Sequence, residues 1–141
     1  HYRVAHDAGP DVPVNYGSFA DSVLPVIETG QARLVAGDHR VDAGLYLEPA
    51  AGHTPGNVLI HLERDAQHAI FSGDVLHHPV QLVHPEWSTR FCYDAEASRR
   101  VRRSLLERVA GTPTRLMTAH FQAPGCGRVL RDGAAFGMQW G

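Results

Sequence analysis

The sequence predicts an α/β, or α+β, fold in which helices pack on a mixed β-sheet. Short apolar runs separated by turn residues fill much of the first half of the chain and indicate hairpins. A long amphipathic helix followed by another apolar run indicates a strand–helix–strand unit later on. The 141 residues, 43% of them hydrophobic, suit one ordinary domain with its own core. We therefore expect residues 1–141 to form a single unit.

The first expected element is a helix over residues 18–29. Ser18 can cap its first free amides, and Asp21 lies three residues further on, as in a weak capping box. Gly30 supplies the left-handed residue that often follows a helix. Pro25 lies inside the run and removes one backbone hydrogen bond, so we expect a kink or an early break there.

Four strands are expected before residue 77. Turn residues at 37–38 separate the first two, and a turn at 64–65 joins the next two as a hairpin. The expected strands are 33–36, 45–48, 57–63 and 68–72. Residues 77–93 are rich in His, Pro and aromatic side chains without a clear period, which indicates a long surface loop, and such loops are often functional.

The clearest element is a helix over residues 94–110, with Asp94 as its N-cap. One apolar stripe recurs every four residues: Ala97, Val101, Leu105 and Val109. The arginines between them are interpreted as mostly solvated rather than as a nucleic-acid patch: Arg99, Arg100, Arg102 and Arg103. Gly111 and Pro113 end the helix. A strand over 114–118 and a hairpin around 131–133 complete the expected fold.

Composition narrows the classes of function. The net charge is −2, which argues against a protein that binds nucleic acid through a basic surface. No apolar run approaches the roughly 20 residues of a membrane-spanning helix, so we expect no membrane partner. Two cysteines are too few for a disulfide framework. Ten histidines favour a metal site or an acid–base site, because imidazole is the commonest metal ligand and titrates near neutrality.

Three metal-capable side chains each follow an expected strand. His53 lies in a stiff turn, Gly52-His53-Thr54-Pro55-Gly56, where glycines and a proline restrict the backbone. Asp74 ends the string Ser72-Gly73-Asp74, and His120 follows the strand over 114–118. Alone, Asp74 would be interpreted as a turn residue and His120 would be ambiguous. Together, at strand ends where α/β sites collect, the three side chains predict a site.

These three motifs, with Ala119-His120-Phe121 as the last, resemble the second half of the metallo-β-lactamase fold superfamily, and their spacings are similar. The segment 73–79 and the later His-Pro-Glu-Trp at 84–87 look most like the branch of methyl parathion hydrolase-like and N-acyl-homoserine lactonase-like enzymes. The resemblance implies half of an αββα sandwich, a mixed sheet with helices packed on one face.

The resemblance also implies a site for two divalent metal ions, of which zinc is the usual identity. His53 would bind the first ion, His120 the second, and Asp74 both. A metal-bridging hydroxide would then attack a small-molecule lactone, ester or phosphotriester. His77, three residues after Asp74, lies where lactonase-like relatives have a tyrosine. It would act as a general acid, with loop packing as its simpler role.

The sequence departs from the superfamily in lacking His-x-His-x-Asp-His. Each ion would have two protein donors, whereas catalytic zinc sites usually have three. We therefore expect the chain, which starts at His1 rather than Met, to be the carboxyl-terminal part of a domain whose amino-terminal half is missing. Asn57, where many relatives have histidine, is expected to matter little. The alternative is a non-catalytic fragment or degenerate homologue; a nuclease is disfavoured by the charge.

A missing half would leave one face of the sheet uncovered, and a homo-oligomer is one way to cover it. The remaining candidates have simpler interpretations. Trp87, Phe91 and Tyr93 either line a substrate pocket or, as we favour, form a small core of the long loop. Cys92 and Cys126 are interpreted as bystanders. Five further histidines are interpreted as surface or loop residues: His39, His61, His68, His78 and His84.

Overall fold

The computed structural model describes residues 17–141 of the chain. The chain divides into two compact units, one ending at Ala36 and the other running from Gly37 to Gly141. The single unit expected for residues 1–141 stays a prediction. No helix among residues 17–141 combines the length and the apolar composition that crossing a bilayer requires.

The first unit contains the predicted helix in two parts. A π-helical segment spans Phe19–Val23, and the α-helix α1 spans Leu24–Glu28. The change comes just before Pro25, which occupies the first turn of α1, where a missing amide breaks no helical hydrogen bond. Gly30 has a φ of +72°, as predicted for the helix end. The predicted cap is wrong, because Ser18 has helical dihedral angles and makes no side-chain cap.

The second unit is built on a seven-stranded mixed sheet whose strands lie in chain order. They are β1 (Arg40–Asp42), β2 (Leu45–Pro49), β3 (Val58–Arg64), β4 (Gln67–Phe71), β5 (Arg115–Met117), β6 (Cys126–Asp132) and β7 (Ala135–Trp140). Every neighbouring pair is antiparallel except β4 and β5, which are parallel. Parallel neighbours need a long crossover, and this one carries α2 (Val80–Val83) and α3 (Ala95–Val109).

The strand predicted over 33–36 is wrong. These residues form no strand, and Leu34 is 84% exposed. The edge strand is β1, which pairs with β2 around a turn at Ala43 and Gly44. Gly44 is required there, because a Cβ would lie 2.1 Å from the carbonyl oxygen of Glu63 on β3. An apolar run becomes a strand only where a neighbour supplies its backbone partners.

Helix α3 matches the prediction except for its buried face. The Asp94 carboxylate accepts a hydrogen bond from the Ala97 amide at 2.9 Å, and Gly111 follows the helix with a φ of +76°. Leu105 and Leu106 pack in the core. Arg102 was expected to be solvated but has no exposed surface, because backbone carbonyls surround its guanidinium.

Helices α2 and α3 cover one face of the sheet. Alternate residues of the central strands point to that face and pack with α3 in one core, among them Leu59, Ile70, Leu116 and Val129. The alternation places large apolar residues on the opposite face, which is open: Ile60, Leu62, Phe71 and Leu130 are between 38% and 44% exposed. The predicted α/β class, with a mixed sheet and helices packed on one face, is confirmed.

A buried polar group ties the sheet to α3. His61 on β3 is only 4% exposed, and its ring nitrogens lie 2.9 Å from Glu48 and 2.9 Å from His68. Glu48 also accepts a hydrogen bond from Arg108 of α3 at 2.9 Å. The interpretation of His61 as a surface residue is wrong, because its strand position points it to the covered face.

We expect this group to make the stability depend on pH. Burial lowers the pKa of His61 despite the attraction of Glu48. At a pH between the lowered pKa of His61 in the folded chain and its ordinary pKa in the unfolded chain, the unfolded chain binds more protons. The unfolding free energy should therefore fall as pH drops below about 6.5. Denaturant titrations from pH 7.5 to 5 measure this slope. His61→Asn should flatten it and His39→Asn should not; an unchanged slope in His61→Asn would refute the assignment.

The open face of the sheet should make the chain self-associate. Exposed apolar patches of this kind favour association. The double variant Leu62→Thr, Leu130→Thr keeps strand propensity but removes apolar contact, and should raise the concentration needed for association by more than about tenfold. Sedimentation velocity over a concentration series measures this. Val83→Thr, on the helical side, is the matched control; a wild-type chain that stays monomeric throughout would contradict the prediction.

Candidate metal centre

Three loops bring the predicted site residues to one edge of the sheet. His53 follows β2, Asp74 follows β4, and His120 follows β5. Two antiparallel pairings separate β2 from β4, so these strands point the same way, and β5 is parallel to β4. The carboxyl ends of all three strands therefore meet at one edge, which is where sites of α/β sheets form.

The turn that carries His53 is packed against the start of α3. A Cβ on Gly52 would lie 2.5 Å from the backbone of Ser98, so this close approach needs glycine. The carbonyls of Gly52 and His53 accept hydrogen bonds from the amides of Asp94 and Tyr93, both at 2.9 Å. These contacts fix the direction of the turn.

Asn57 closes the base of the same turn. Its side-chain amide donates a hydrogen bond to the Ala50 carbonyl at 3.0 Å. The residue that departs from the superfamily pattern thus has a structural role here.

Asp74 lies in a short 3₁₀ turn, Gly73–Val75, directly after β4. The Ser72 amide donates to the Met117 carbonyl at 2.9 Å, which extends the parallel pairing to the last residue before the turn. Gly73 then adopts a φ of +48°. The carboxylate therefore projects at the point where β4 and β5 both end.

The two oxygens of the Asp74 carboxylate face different imidazoles. One oxygen lies 2.5 Å from His120 Nε2, and the other lies 3.6 Å from His53 Nε2. The structure thus brings together the three residues that the sequence analysis singled out. The Asp74 carboxylate therefore lies between two imidazoles and pairs directly with that of His120.

His77 stands between the two outer histidines. Its ring centroid is 4.7 Å from that of His53 and 5.2 Å from that of His120, on which it stacks. Both of its ring nitrogens are buried, and neither has a hydrogen-bond partner among the residues described. An orphaned buried nitrogen of this kind indicates that a ligand or substrate atom completes the site.

The donor set suits a divalent metal ion. Ligand atoms of His53, Asp74 and His77 all lie within 4.8 Å of one another. Imidazole nitrogen and carboxylate oxygen are donors that zinc, iron, manganese and cobalt accept. This group contains His77, whereas the sequence assigns His120 as the third ligand; the imidazole and carboxylate donors of the group fit such an ion.

The protonation states also suit a cation. Burial alone would raise the pKa of Asp74, but the His120 hydrogen bond and the surrounding imidazoles hold that pKa below its ordinary value. Burial, reinforced by the neighbouring imidazoles, lowers the pKa of His77. At neutral pH the carboxylate is therefore ionised and His77 is neutral with a free lone pair.

Sequence reasoning missed Cys92 as a neighbour of the site. Its sulfur lies 3.8 Å from His53 Nδ1 and 3.5 Å from the Ser98 hydroxyl. Cys92 thus contacts the ring nitrogen of His53 that does not face Asp74. The two residues are 39 positions apart and share no motif, so no sequence signal predicts this contact.

The expected small core of the 77–93 loop is not formed. Trp87, Phe91 and Tyr93 are 54%, 70% and 70% exposed, and Trp87 stacks on His84 at 4.4 Å. The regular structure of the segment is α2, and its backbone also makes hydrogen bonds to His53 and to Arg102 of α3. The three aromatic residues of the loop therefore lie at the surface.

Comparison with known proteins shows which solved structures share this fold. The sequence matches no family model and no curated protein. AidC, described as a dizinc quorum-quenching lactonase in complex with the product N-hexnoyl-L-homoserine, matches with a TM-score of 0.79 and 20% identity. This match covers 95% of the present chain and 46% of AidC.

Two further structures match over similar lengths. AbOPH, described as a hydrolase in the beta lactamase superfamily, has a TM-score of 0.78 and 21% identity over 84% of this chain and 41% of its own. A probable metal-dependent hydrolase from Staphylococcus aureus has a TM-score of 0.63 and 14% identity over 88% and 49%. The chain thus spans less than half the length of these proteins. At such identities the likeness establishes the fold, and the fold expected from the resemblance is confirmed.

Replacing His77 should stabilise the metal-free chain. His77→Phe removes two buried nitrogens that lack partners among the described residues while keeping a ring, so the unfolding free energy should rise by about 1 kcal/mol. His61→Phe is the matched contrast, because both His61 nitrogens have partners, and it should cost about 1–3 kcal/mol. Denaturant unfolding in EDTA measures both. A loss of stability in His77→Phe as large as in His61→Phe would contradict the view of His77 as an unsatisfied group.

Proposed function

We propose that this chain carries part of the active centre of a metal-dependent hydrolase of the metallo-β-lactamase superfamily. The proposed substrates are small molecules with a lactone, ester or phosphotriester bond. The observation that carries the proposal is the convergence of His53 and His120 on opposite oxygens of Asp74, with His77 between them. The known matches, AidC among them, support the same reaction class.

The ligands are proposed to divide between two ions, with zinc as the proposed identity. His53 would hold one ion, His120 the other, and Asp74 both, since its two oxygens already face different imidazoles. Divalent ions held there would supply Lewis acidity that acidifies water and polarises the substrate's carbonyl or phosphoryl oxygen. The lowered pKa of Asp74 keeps the shared ligand ionised at neutral pH.

His77 is proposed as the general acid. Its half-buried ring lies between the two outer histidines, and its buried nitrogens have no hydrogen-bond partner among the described residues, so one of them can donate to a substrate oxygen. Because its pKa is lowered, His77 is mostly neutral at neutral pH and presents a ring N–H to the substrate oxygen. The smaller protonated fraction is a stronger acid toward a leaving oxygen than an ordinary imidazolium. Its position three residues after Asp74 puts it on the same loop as the proposed bridging ligand.

The open face of the sheet supports a proposal about the rest of the domain. The chain offers each ion two donors, one fewer than catalytic zinc sites usually have. We propose that residues 1–141 are the carboxyl-terminal part of the domain, and that a second layer covers Ile60, Phe71 and their neighbours and brings the missing donors. The same shortage of donors favours the second candidate, a non-catalytic homologue.

Zinc binding and hydrolysis test the proposal together. With two donors per ion, the isolated chain is expected to bind zinc weakly. Asp74→Asn should weaken binding further, by more than about tenfold, because the amide loses the charge that both ions share. Calorimetric titration measures this, with Asp132→Asn, at the far hairpin, as the matched control.

The activity assay uses a hexanoyl homoserine lactone and an aryl ester as substrates, with zinc in excess. Hydrolysis that Asp74→Asn loses and Asp132→Asn keeps would support the hydrolase. A protein that binds zinc but hydrolyses neither substrate would support the non-catalytic homologue. Equal zinc binding by wild type and Asp74→Asn would overturn the assignment of the site.

A further inference from the structure

Arg102 is a buried cation in the middle of α3. Its side chain has no exposed surface, and it donates to the carbonyls of Val75, Pro85 and Trp87 at 2.9, 2.7 and 2.7 Å. Its remaining nitrogen donates to the Ser98 hydroxyl at 3.1 Å. No carboxylate within residues 17–141 forms a salt bridge with it. The guanidinium is therefore held entirely by neutral acceptors.

A buried charge without a counterion is unfavourable unless its hydrogen bonds are complete. An apolar residue would pack α3 against the core at lower cost, so the packing of the helix does not explain the arginine. What an arginine adds is a rigid fork of five donors. Here the fork fixes carbonyls at both ends of the segment 75–87; Asp74 directly precedes the first of them, that of Val75, and His77 lies two residues after it.

Gln81 fixes the same segment from within. It is 3% exposed, its oxygen accepts from the His77 amide at 2.8 Å, and its nitrogen donates to the Trp87 carbonyl at 2.8 Å. The Trp87 carbonyl thus accepts from both Gln81 and Arg102. The two side chains form one connected network around the backbone of His77.

The ring of His77 depends on this backbone network. Its own nitrogens make no hydrogen bond to any described residue, so no polar contact of the ring sets its direction. Its placement is left to the backbone, to a tilted ring contact with His53 and to stacking on His120.

We propose that Arg102 and Gln81 are positioning residues that hold the His77 ring between His53 and His120. This inference rests on the proposed function, in which His77 acts on the substrate. Neither residue touches the proposed reacting atoms; each acts through the backbone of the loop.

We call the network of Arg102 and Gln81 around the backbone of His77 the clamp. Contacts between the rings of His77 and His120 in the metal-free protein test it directly. The His77 and His120 centroids are 5.2 Å apart, so nuclear Overhauser effects between their ring protons report the position of His77. Arg102→Met should remove these effects and raise amide exchange at His77 by more than about tenfold, because the segment loses three of its backbone anchors. Arg103→Met, which removes only an exposed pair with Glu107, is the matched control.

Two further variants keep the test decisive if Arg102→Met fails to fold. Gln81→Met removes two hydrogen bonds and leaves the buried charge satisfied, and it should loosen the ring contacts in a cooperatively folded chain. Arg102→Lys should also lose the ring contacts between His77 and His120, because one ammonium cannot reach three carbonyls and Ser98 at once. A folded Gln81→Met or Arg102→Met chain with wild-type ring contacts would overturn the clamp.

Kinetics separate the clamp from the proposed function. In a hydrolytically active preparation, Gln81→Met should lower kcat by about 10- to 100-fold with little change in KM, since a displaced group loses its alignment with the reacting bond. Full kcat with lost ring contacts would overturn the catalytic part of the inference. If the wild type binds no metal and hydrolyses nothing, the proposed function fails, and the ring contacts still decide whether the clamp exists.

Discussion

The direction of three strands is the constraint on which the site depends. Because β2, β4 and β5 point the same way, the loops that follow them open on one edge of the sheet. His53, Asp74 and His120 meet there because each lies in the loop that follows one of these strands. The crossover between β4 and β5 is long for the same topological reason, and its length is what provides room for α2, α3 and the loop of His77. A single parallel pairing therefore determines both where the carboxylate lies and what surrounds it.

The elements that the sequence predicted are those whose signals are local. Asp94 caps α3, Gly30 and Gly111 follow helices, and the strand and hairpin over 57–72 form within one or two residues of the expected bounds. The three ligand candidates were found because each stands in a recognisable turn after a strand. What sequence could not show depends on distant neighbours. Residues 33–36 have the composition of a strand and form none, and Cys92 meets His53 only because the α3 start folds over its turn.

Two polar side chains in the crossover, the buried Arg102 and the half-buried His77, differ in how completely their hydrogen bonds are satisfied. The sequence does not distinguish Arg102 from the other arginines of α3. Its burial is tolerated because all of its guanidinium nitrogens donate hydrogen bonds to nearby acceptors. His77 is poorly satisfied, with both nitrogens buried and lacking partners among residues 17–141. The network that completes the first residue also holds the backbone of the second through Gln81. Among residues 17–141, the ring nitrogens of His77 are therefore the buried side-chain polar atoms that lack hydrogen-bond partners.

Under the proposed function, one missing layer would account for both the open sheet face and the small number of metal donors. The apolar residues of that face run toward the strand ends: Phe71 lies three residues before Asp74, and Met117 lies three before His120. A layer that covers these residues therefore also approaches the metal edge, so the same contacts that bury apolar surface can deliver further donors. Under the proposed function, metal binding and completion of the fold would be thermodynamically coupled, because each ion would hold ligands from both layers. The stability of the assembled domain would then depend on metal concentration, while α3 and its core, which lie on the other face, would retain their structure without it.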